Sequence, residues 1–347
     1  MRAWVLYHSL PKDSTPDKEK MWEGALRWEE VPLPALQASH VRVRVKAAAL
    51  NRRDLWIALG LYPAIQYPAI LGSDGCGEVV EVGSPTLSHL KGKRIIINPA
   101  LDWGASEKAQ QDSFHILGMP THGTLAEFVD VPAENIHAAP EFLSDEEAAA
   151  IPLAGLTAYR ALFVQGELQP GMRVLITGIG GGVAIWALQL AVAAEAEVWV
   201  TSSSPEKIEK AQKLGAKDGV IYAQEGWSKL LSQQAGTFDL IVDGTGGEFF
   251  SEYISLVSPG GKIVVYGATR GNPSKIDLRR LFWRQICIVG STMGSPQNFA
   301  SLLEFIKQKQ IRPFLEHVMP INALPDALTR LWKGEQIGKI VLYQNSL

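Results

Sequence analysis

Eight residues from Thr177 to Ala184 read TGIGGGVA and form the most glycine-rich turn in the chain. The segment Arg173–Ile176 before the turn, which is apolar after its first residue, predicts a buried strand, and the apolar segment after the turn predicts a helix. Glycines let a backbone approach a pyrophosphate, and a helix N-terminus offers N–H donors with a positive dipole. The context predicts a dinucleotide site, with a glycine turn that binds nothing as the alternative. The contacts would be Gly180, Gly181, Gly182 and Val183.

The next predicted strand ends in Ser202 and Ser203, and Lys207 follows shortly after. Sites that prefer NAD carry an acidic residue at this strand end, where it holds the ribose hydroxyls. No carboxylate stands there in this chain, whereas hydroxyls and an ammonium can bind a 2′-phosphate. The residues therefore predict NADPH as the cofactor. The alternative is a serine-rich helix start followed by a solvated lysine.

The pattern around these residues changes along the chain. Residues 1–143 read as short strands and turns, and residues 144–297 alternate strands with helices, which predicts a doubly wound parallel sheet. Ser144 and Glu147 fit a capping box where this alternation begins. The helices and the strand in 298–347 would return to the first domain. We predict an α/β fold with a β-rich domain (1–143 and 298–347) and a Rossmann domain (144–297).

The composition excludes several classes of protein. The chain has 347 residues, 46% of them apolar, and basic and acidic residues are interspersed to a net charge of −3. No basic field predicts a nucleic-acid partner, and no apolar run predicts a membrane partner. Two cysteines favour a reducing compartment. We therefore expect a cytoplasmic protein that acts on a small molecule.

Six collinear segments carry a resemblance to a known family. They are residues 47–54 (AAALNRRD), 71–83 (LGSDGCGEVVEVG), 123–129 (GTLAEFV), 151–160 (IPLAGLTAYR), the glycine turn and 337–341 (IGKIV). The chain resembles the medium-chain dehydrogenase/reductase superfamily, and in particular its zinc-free quinone oxidoreductase branch. The resemblance implies an oxidoreductase with a GroES-like catalytic domain into which the Rossmann domain is inserted.

The same resemblance locates the positions at which zinc-dependent members bind their catalytic metal. They match Asn51, the pair Ser73-Asp74, and Leu153, and the stretch matching the structural zinc lobe, 101–122, has no cysteine. Leucine cannot bind zinc, and an amide and a hydroxyl are poor ligands for it. We therefore predict no metal. A residual site in which Asp74 is joined by His115 or His122 is the alternative.

Without a metal, the reaction must suit an acceptor that delocalises charge, such as a quinone or an α,β-unsaturated carbonyl. Asn51 would lie beside the nicotinamide and donate to a substrate or enolate oxygen, or it would only stabilise a turn. Asp54 would orient its neighbours or pair with Arg52 or Arg53. Tyr62 matches a pocket tyrosine of quinone oxidoreductases that could supply a proton, or it only packs.

The resemblance also implies further cofactor contacts and a dimer. The cofactor contacts would be Thr157, Tyr222, Gly244, Thr245, Gly267, Thr292 and Lys339. A solvated strand end, the commoner fate of a lysine at such a position, is the alternative for Lys339. The strand at 286–289 would pair across a two-fold axis in a homodimer. Two other functions stay open: an alcohol dehydrogenase with a degenerate metal site, and a low-turnover, NADPH-binding protein like the crystallins.

Overall fold

The computed structural model describes residues 1–11, 13–16 and 20–344. The last three residues of the predicted range 298–347, and four residues of 1–143, lie outside this description. The chain divides into two compact units. The first unit comprises Met1–Leu153, Ser295–Lys307 and Leu315–Leu347, and the second comprises Ala154–Gly294 and Gln308–Phe314.

The first part of the chain forms short strands, as its alternating pattern predicts. In the longest of them Val41, Val43 and Val45 are buried, whereas Arg44 and Lys46 are exposed. The strands are β1 (Arg2–Leu6), β2 (Leu26–Glu30), β3 (His40–Ala49), β4 (Ala69–Ile70), β5 (Asp74–Val82), β6 (Arg94–Ile97), β7 (Ala100–Leu101), β8 (His115–Ile116), β9 (Phe128–Pro132) and β10 (Ile136–Ala138). The helices are α1 (Arg52–Ala58), α2 (Asp145–Ala149) and α3 (Pro152–Tyr159).

The second unit is a parallel sheet with intervening helices. Its elements are β11 (Arg173–Ile176), α4 (Gly182–Ala193), β12 (Glu197–Ser202), α5 (Pro205–Lys213), β13 (Asp218–Ile221), α6 (Trp227–Ala235), β14 (Phe238–Asp243), α7 (Phe250–Leu256), β15 (Val257–Val265), α8 (Leu278–Trp283) and β16 (Cys287–Gly290). The strand order is β13-β12-β11-β14-β15-β16, and all five pairings are parallel. This is the predicted Rossmann arrangement.

The remaining elements are α9 (Pro296–Lys309), β17 (Leu315–Pro320), α10 (Leu324–Lys333) and β18 (Lys339–Tyr343). Strand β18 pairs antiparallel with β3, so one sheet combines strands from the first part of the chain with a strand from its last part. That sheet has the order β10-β6-β5-β3-β18-β17, with β9 also on β3. Its middle three strands, β5, β3 and β18, position the residues of the candidate site.

The helix starts follow the local sequence. Ser144 precedes α2, its Oγ accepts a hydrogen bond from the Glu147 N–H, and the Glu147 carboxylate accepts one from the Ser144 N–H. The predicted capping box is confirmed. Within the described ranges, every helix is too short or too polar to cross a membrane.

Candidate active site

A buried ammonium group is the central feature of the site in the first unit. The Nζ atom of Lys339 donates to the main-chain oxygen of Leu50 at 2.7 Å, to Asn51 Oδ1 at 2.6 Å and to Asp74 Oδ2 at 2.8 Å. The Lys339 side chain is 3% exposed and that of Asp74 is 0% exposed. The alternative interpretation of Lys339 as a solvated strand end is therefore wrong. All three N–H groups of the ammonium are used within the cluster.

Three neighbouring strands bring this cluster together. Strand β3 pairs antiparallel with both β5 and β18, and its Ala49 lies opposite Asp74 on one side and Val341 on the other. Asn51 follows the end of β3, and Lys339 opens β18. Residues that are far apart in sequence are therefore held at the same end of three interior strands, whose regular backbone hydrogen bonds fix their relative positions.

The neighbours of Asn51 fix the orientation of its side-chain amide. Lys339 can only donate, so the atom facing it must be Oδ1, and the Asp74 carboxylate can only accept, so the atom facing it must be Nδ2. The Nδ2–Asp74 Oδ2 distance is 2.9 Å, and Asp74 Oδ1 accepts from the Leu153 main-chain N–H at 2.8 Å. Asn51 precedes helix α1, but its amide contacts Lys339 and Asp74 and does not serve only the turn.

Asp54 lies in the first turn of α1 and is fully buried. Its carboxylate accepts from the main-chain N–H of Asn51 at 2.8 Å and from that of Gly72 at 3.2 Å. Burial raises the pKa of Asp54, and the positive charge of Arg53 opposes this shift. The expected direct pairing with Arg52 or Arg53 is wrong, because both guanidinium groups donate elsewhere. Asp54 instead fixes the backbone at Asn51.

Tyr62 lies beside the second of these arginines. The Arg53 guanidinium is 5.1 Å from the centre of the Tyr62 ring, and it donates to Ser73 Oγ at 2.7 Å and to the Leu117 main-chain oxygen at 2.8 Å. Tyr62 is half-buried, and Ser73 is fully buried. Arg53 therefore links Tyr62 to Ser73, which precedes Asp74.

The cluster does not fit a zinc ion. The positions that the resemblance matched to metal ligands do converge, but an ammonium lies among them, and both Asp74 oxygens are hydrogen-bonded. Leu153 offers only a hydrocarbon side chain. His122 accepts from the Ile70 N–H through Nδ1, and burial lowers its pKa. In the described part of the chain, no three His, Cys, Asp or Glu side chains form a group that could hold a metal.

The predicted glycine turn lies between β11 and α4 in the second unit. Gly180 has a φ of +125°, and a Cβ there would lie 2.8 Å from Lys207 Cδ and 3.3 Å from Lys207 Nζ. A Cβ on Gly181 would meet nothing within 4 Å. Helix α4 begins at Gly182, so its first-turn N–H groups, including that of Val183, adjoin this turn. The turn fits a dinucleotide pyrophosphate, and the Lys207 side chain lies close to its Gly180.

The residues predicted to select the cofactor lie at the end of β12 and near it. Ser202 ends the strand, and its main-chain oxygen accepts from the Tyr222 N–H at 3.0 Å. Ser203 is exposed and Lys207 is half-buried. The Arg270 guanidinium lies 5.0 Å from the centre of the Tyr222 ring. No motif had indicated Arg270, which places a cation beside Tyr222, one of the predicted cofactor contacts.

The other predicted cofactor contacts occupy loops and helix positions of the second unit. Gly244 and Gly267 follow β14 and β15, and a Cβ on Gly244 would lie 2.4 Å from the Tyr266 hydroxyl, so close packing explains this glycine. The Thr245 hydroxyl donates to Asp243 at 2.7 Å. Thr157 is buried in α3, and Thr292 is exposed after β16.

Comparison with known proteins agrees with both halves of this description. The family model described as an alcohol dehydrogenase GroES-like domain matches residues 37–141, and the one described as a zinc-binding dehydrogenase matches residues 182–308. A zinc-type alcohol dehydrogenase-like protein, YogA, of Leptosphaeria maculans is 34% identical over 91% of this chain and 94% of its own length. The chain belongs to the medium-chain dehydrogenase/reductase superfamily. It is an oxidoreductase of that superfamily with the predicted GroES-like and Rossmann folds.

Two further relatives illustrate the range of this oxidoreductase superfamily. A crystal structure of an NAD-dependent alcohol dehydrogenase is 34% identical, covers 99% of both chains and superposes with a TM-score of 0.89. An acryloyl-coenzyme A reductase of Sulfurisphaera tokodaii is 28% identical over 90% of this chain and 95% of its own length. The comparisons thus include both an alcohol dehydrogenase and a reductase of a conjugated thioester.

Proposed function

We propose that this protein is an NADPH-dependent oxidoreductase that reduces a quinone or an α,β-unsaturated carbonyl without a catalytic zinc. One observation carries the proposal: the Lys339 ammonium lies among Asn51, Asp74 and Leu153, the positions matched to metal ligands. Without a Lewis acid, a simple carbonyl is poorly activated. A conjugated acceptor spreads the incoming negative charge and needs less polarisation.

In the proposed reaction the cofactor, when bound, supplies a hydride from its reduced nicotinamide. Asn51 donates its remaining Nδ2–H to the substrate oxygen, where negative charge develops as the hydride reaches the conjugated carbon. Tyr62 or water supplies the proton that completes the product. The balance is one hydride and one proton added, giving a saturated carbonyl or a hydroquinone together with NADP⁺.

The preference for NADPH is supported by the residues at the end of β12. Ser202 and Ser203 supply hydroxyls, Lys207 and Arg270 supply positive charge, and no carboxylate stands at the strand tip to repel a 2′-phosphate. The choice of acceptor is supported by the acryloyl-coenzyme A reductase relative, whose name describes action on a conjugated thioester.

A substrate screen tests the proposed function. Purified protein is mixed either with NADPH and a panel of quinones, enones and simple aldehydes, or with NADP⁺ and a panel of alcohols, and nicotinamide fluorescence is followed. We expect turnover of quinones or enones and little turnover of aldehydes. Zinc-dependent oxidation of alcohols would instead indicate a dehydrogenase with a degenerate metal site. NADPH binding without any turnover would indicate a crystallin-like protein.

Replacing Lys207 should reveal the cofactor preference. We expect NADPH to bind more tightly than NADH, and Lys207→Ala to weaken NADPH binding about 10- to 100-fold, the range for losing a hydrogen bond to a charged group. NADH binding should change much less. Calorimetry with both cofactors measures this, and Lys213→Ala, in the same helix but 71% exposed, is the matched control. Equal affinity of the wild type for NADPH and NADH would contradict the proposed phosphate site.

We also propose that the protein is located in the reducing cytoplasm. We propose further that it forms a homodimer through the outer edge of β16. Among the described strands β16 pairs only with β15, and Ile288 on it is 37% exposed. A lysine on an open strand edge disfavours edge-to-edge pairing. Ile288→Lys should therefore give a monomer in light scattering, whereas Leu33→Lys, at an exposed position of the first unit, should not. A wild-type monomer at micromolar concentration would contradict this proposal.

A further inference from the structure

The hydrogen bonds around Lys339 form a closed set. The ammonium donates three bonds, to Leu50, Asn51 and Asp74, and the two Asp74 oxygens together accept from Lys339, Asn51 and Leu153. One positive and one negative charge cancel within it. This neutral, buried network favours one arrangement, because a rotation of Lys339 or Asp74 leaves an ammonium N–H or a carboxylate oxygen unpaired.

Asn51 is the side chain of this network that has an N–H group left to donate to a substrate. Its Oδ1 is bound by Lys339, and its Nδ2 uses one N–H on Asp74, which leaves the second N–H of the same amide. In the described part of the chain no other acceptor bonds to Nδ2. Without the ammonium, Oδ1 loses its donor, and only Asp74 then opposes a 180° rotation about the Cβ–Cγ bond, which would bring Oδ1 to the position of Nδ2.

We infer that Lys339 is a positioning residue of the proposed reductase: its ammonium holds Asn51 with an N–H, and not the oxygen, turned toward the substrate oxygen. This inference rests on the proposed function. In this chain, the positions that match the zinc ligands of zinc-dependent relatives surround the ammonium of Lys339. The ammonium excludes a divalent ion from the site, and it orders the Asn51 side chain, which acts on the substrate oxygen in place of such an ion.

Removal of the charge tests the inference in two variants. Lys339→Met keeps the length of the side chain but leaves Asp74 unpaired, so it risks misfolding. Asp74→Asn/Lys339→Met removes both charges and avoids an unpaired buried ion. In both, we expect kcat per NADPH-binding site to fall about 10- to 100-fold, as when a residue that orients a reacting group is lost. The KM for the enone and the affinity for NADPH should change little.

A spectroscopic readout separates positioning from a merely structural role. Protein labelled with ¹⁵N-asparagine gives side-chain amide signals, and Asn51→Ala assigns the Asn51 pair. We expect that pair to shift or broaden in Asp74→Asn/Lys339→Met while the signals of Asn135, another buried asparagine of the same unit, stay in place. In Lys339→Ala, added ethylammonium should restore kcat in a concentration-dependent manner, and sodium should not.

The outcomes distinguish this inference from the proposed function. Wild-type kcat and an unmoved Asn51 signal in a folded, NADPH-binding double variant would overturn the positioning role and leave the reductase proposal standing. Absence of any quinone or enone turnover by the wild type would overturn the reductase proposal, and the Asn51 signal would still report whether Lys339 holds the amide.

Discussion

Replacing Asn51 by alanine should lower kcat for enone or quinone reduction by about 10²- to 10³-fold, the loss found when one donor to a developing oxyanion is removed. The amide N–H acts only as negative charge develops on the substrate oxygen, so kcat and kcat/KM should fall together. The proposed partner of the Asn51 amide is the substrate oxygen and not the dinucleotide, so NADPH affinity should stay near the wild-type value. Steady-state kinetics with calorimetry of cofactor binding measures both.

The matched control for this variant is Asn135→Ala. Asn135 is also a buried asparagine of the first unit, but its amide donates only to the main-chain oxygens of Asn98 and Ala100. Its loss should lower stability without changing kcat per folded molecule. If Asn51→Ala retains kcat within about twofold of the wild type, a span of roughly 0.4 kcal/mol, then Asn51 is not the donor to the substrate oxygen.

Replacing Asp74 by asparagine should destabilise the protein by about 3–5 kcal/mol, the range for breaking a buried ion pair by removal of one partner. The Asp74 carboxylate accepts three N–H groups, and an amide in its place would turn its own N–H groups toward donors. The Lys339 ammonium would remain buried with two neutral acceptors. Urea unfolding measures the loss, and hydrogen exchange should show it concentrated in β3, β5 and β18.

Two comparisons make the stability result interpretable. Glu167→Gln breaks the Lys262–Glu167 pair, in which Glu167 is 70% exposed, and should change stability little because solvent screens such pairs. Asp74→Asn/Lys339→Met should recover most of the stability that Asp74→Asn loses. Equal stability of Asp74→Asn and the wild type would show that burying the Lys339 ammonium does not require the Asp74 carboxylate.

Five of the six strands in the parallel sheet of the second unit were predictable, because buried strands and glycine-bounded helices leave a clear periodic signal; β13 was not predicted. The strands β11, β12, β14 and β15 each follow such a signal, and β16 begins within one residue of its predicted start. The two-residue strands β7 and β8 were not predicted, since two residues are too few to show alternation. Their pairing depends on the fold around them.

The site was predictable only in part. The resemblance identified Asn51, Asp74 and Leu153 as ligand positions, but it gave no reason for Lys339 to lie among them. Lys339 is 265 residues from Asp74 in sequence, and a lysine at a strand end is ordinarily solvated. Arg270 was missed because stacking on an aromatic ring has no sequence motif. Both placements depend on side-chain packing, which local sequence patterns do not encode.

The most direct test of the account is the metal content of the active protein. Protein produced with added zinc is passed through a chelating column, analysed by mass spectrometry for zinc and assayed for NADPH-dependent reduction before and after treatment. We expect zinc far below one ion per chain and unchanged turnover. One tightly held zinc per chain, whose removal abolishes turnover and whose return restores it, would contradict the placement of the Lys339 ammonium at the centre of this site.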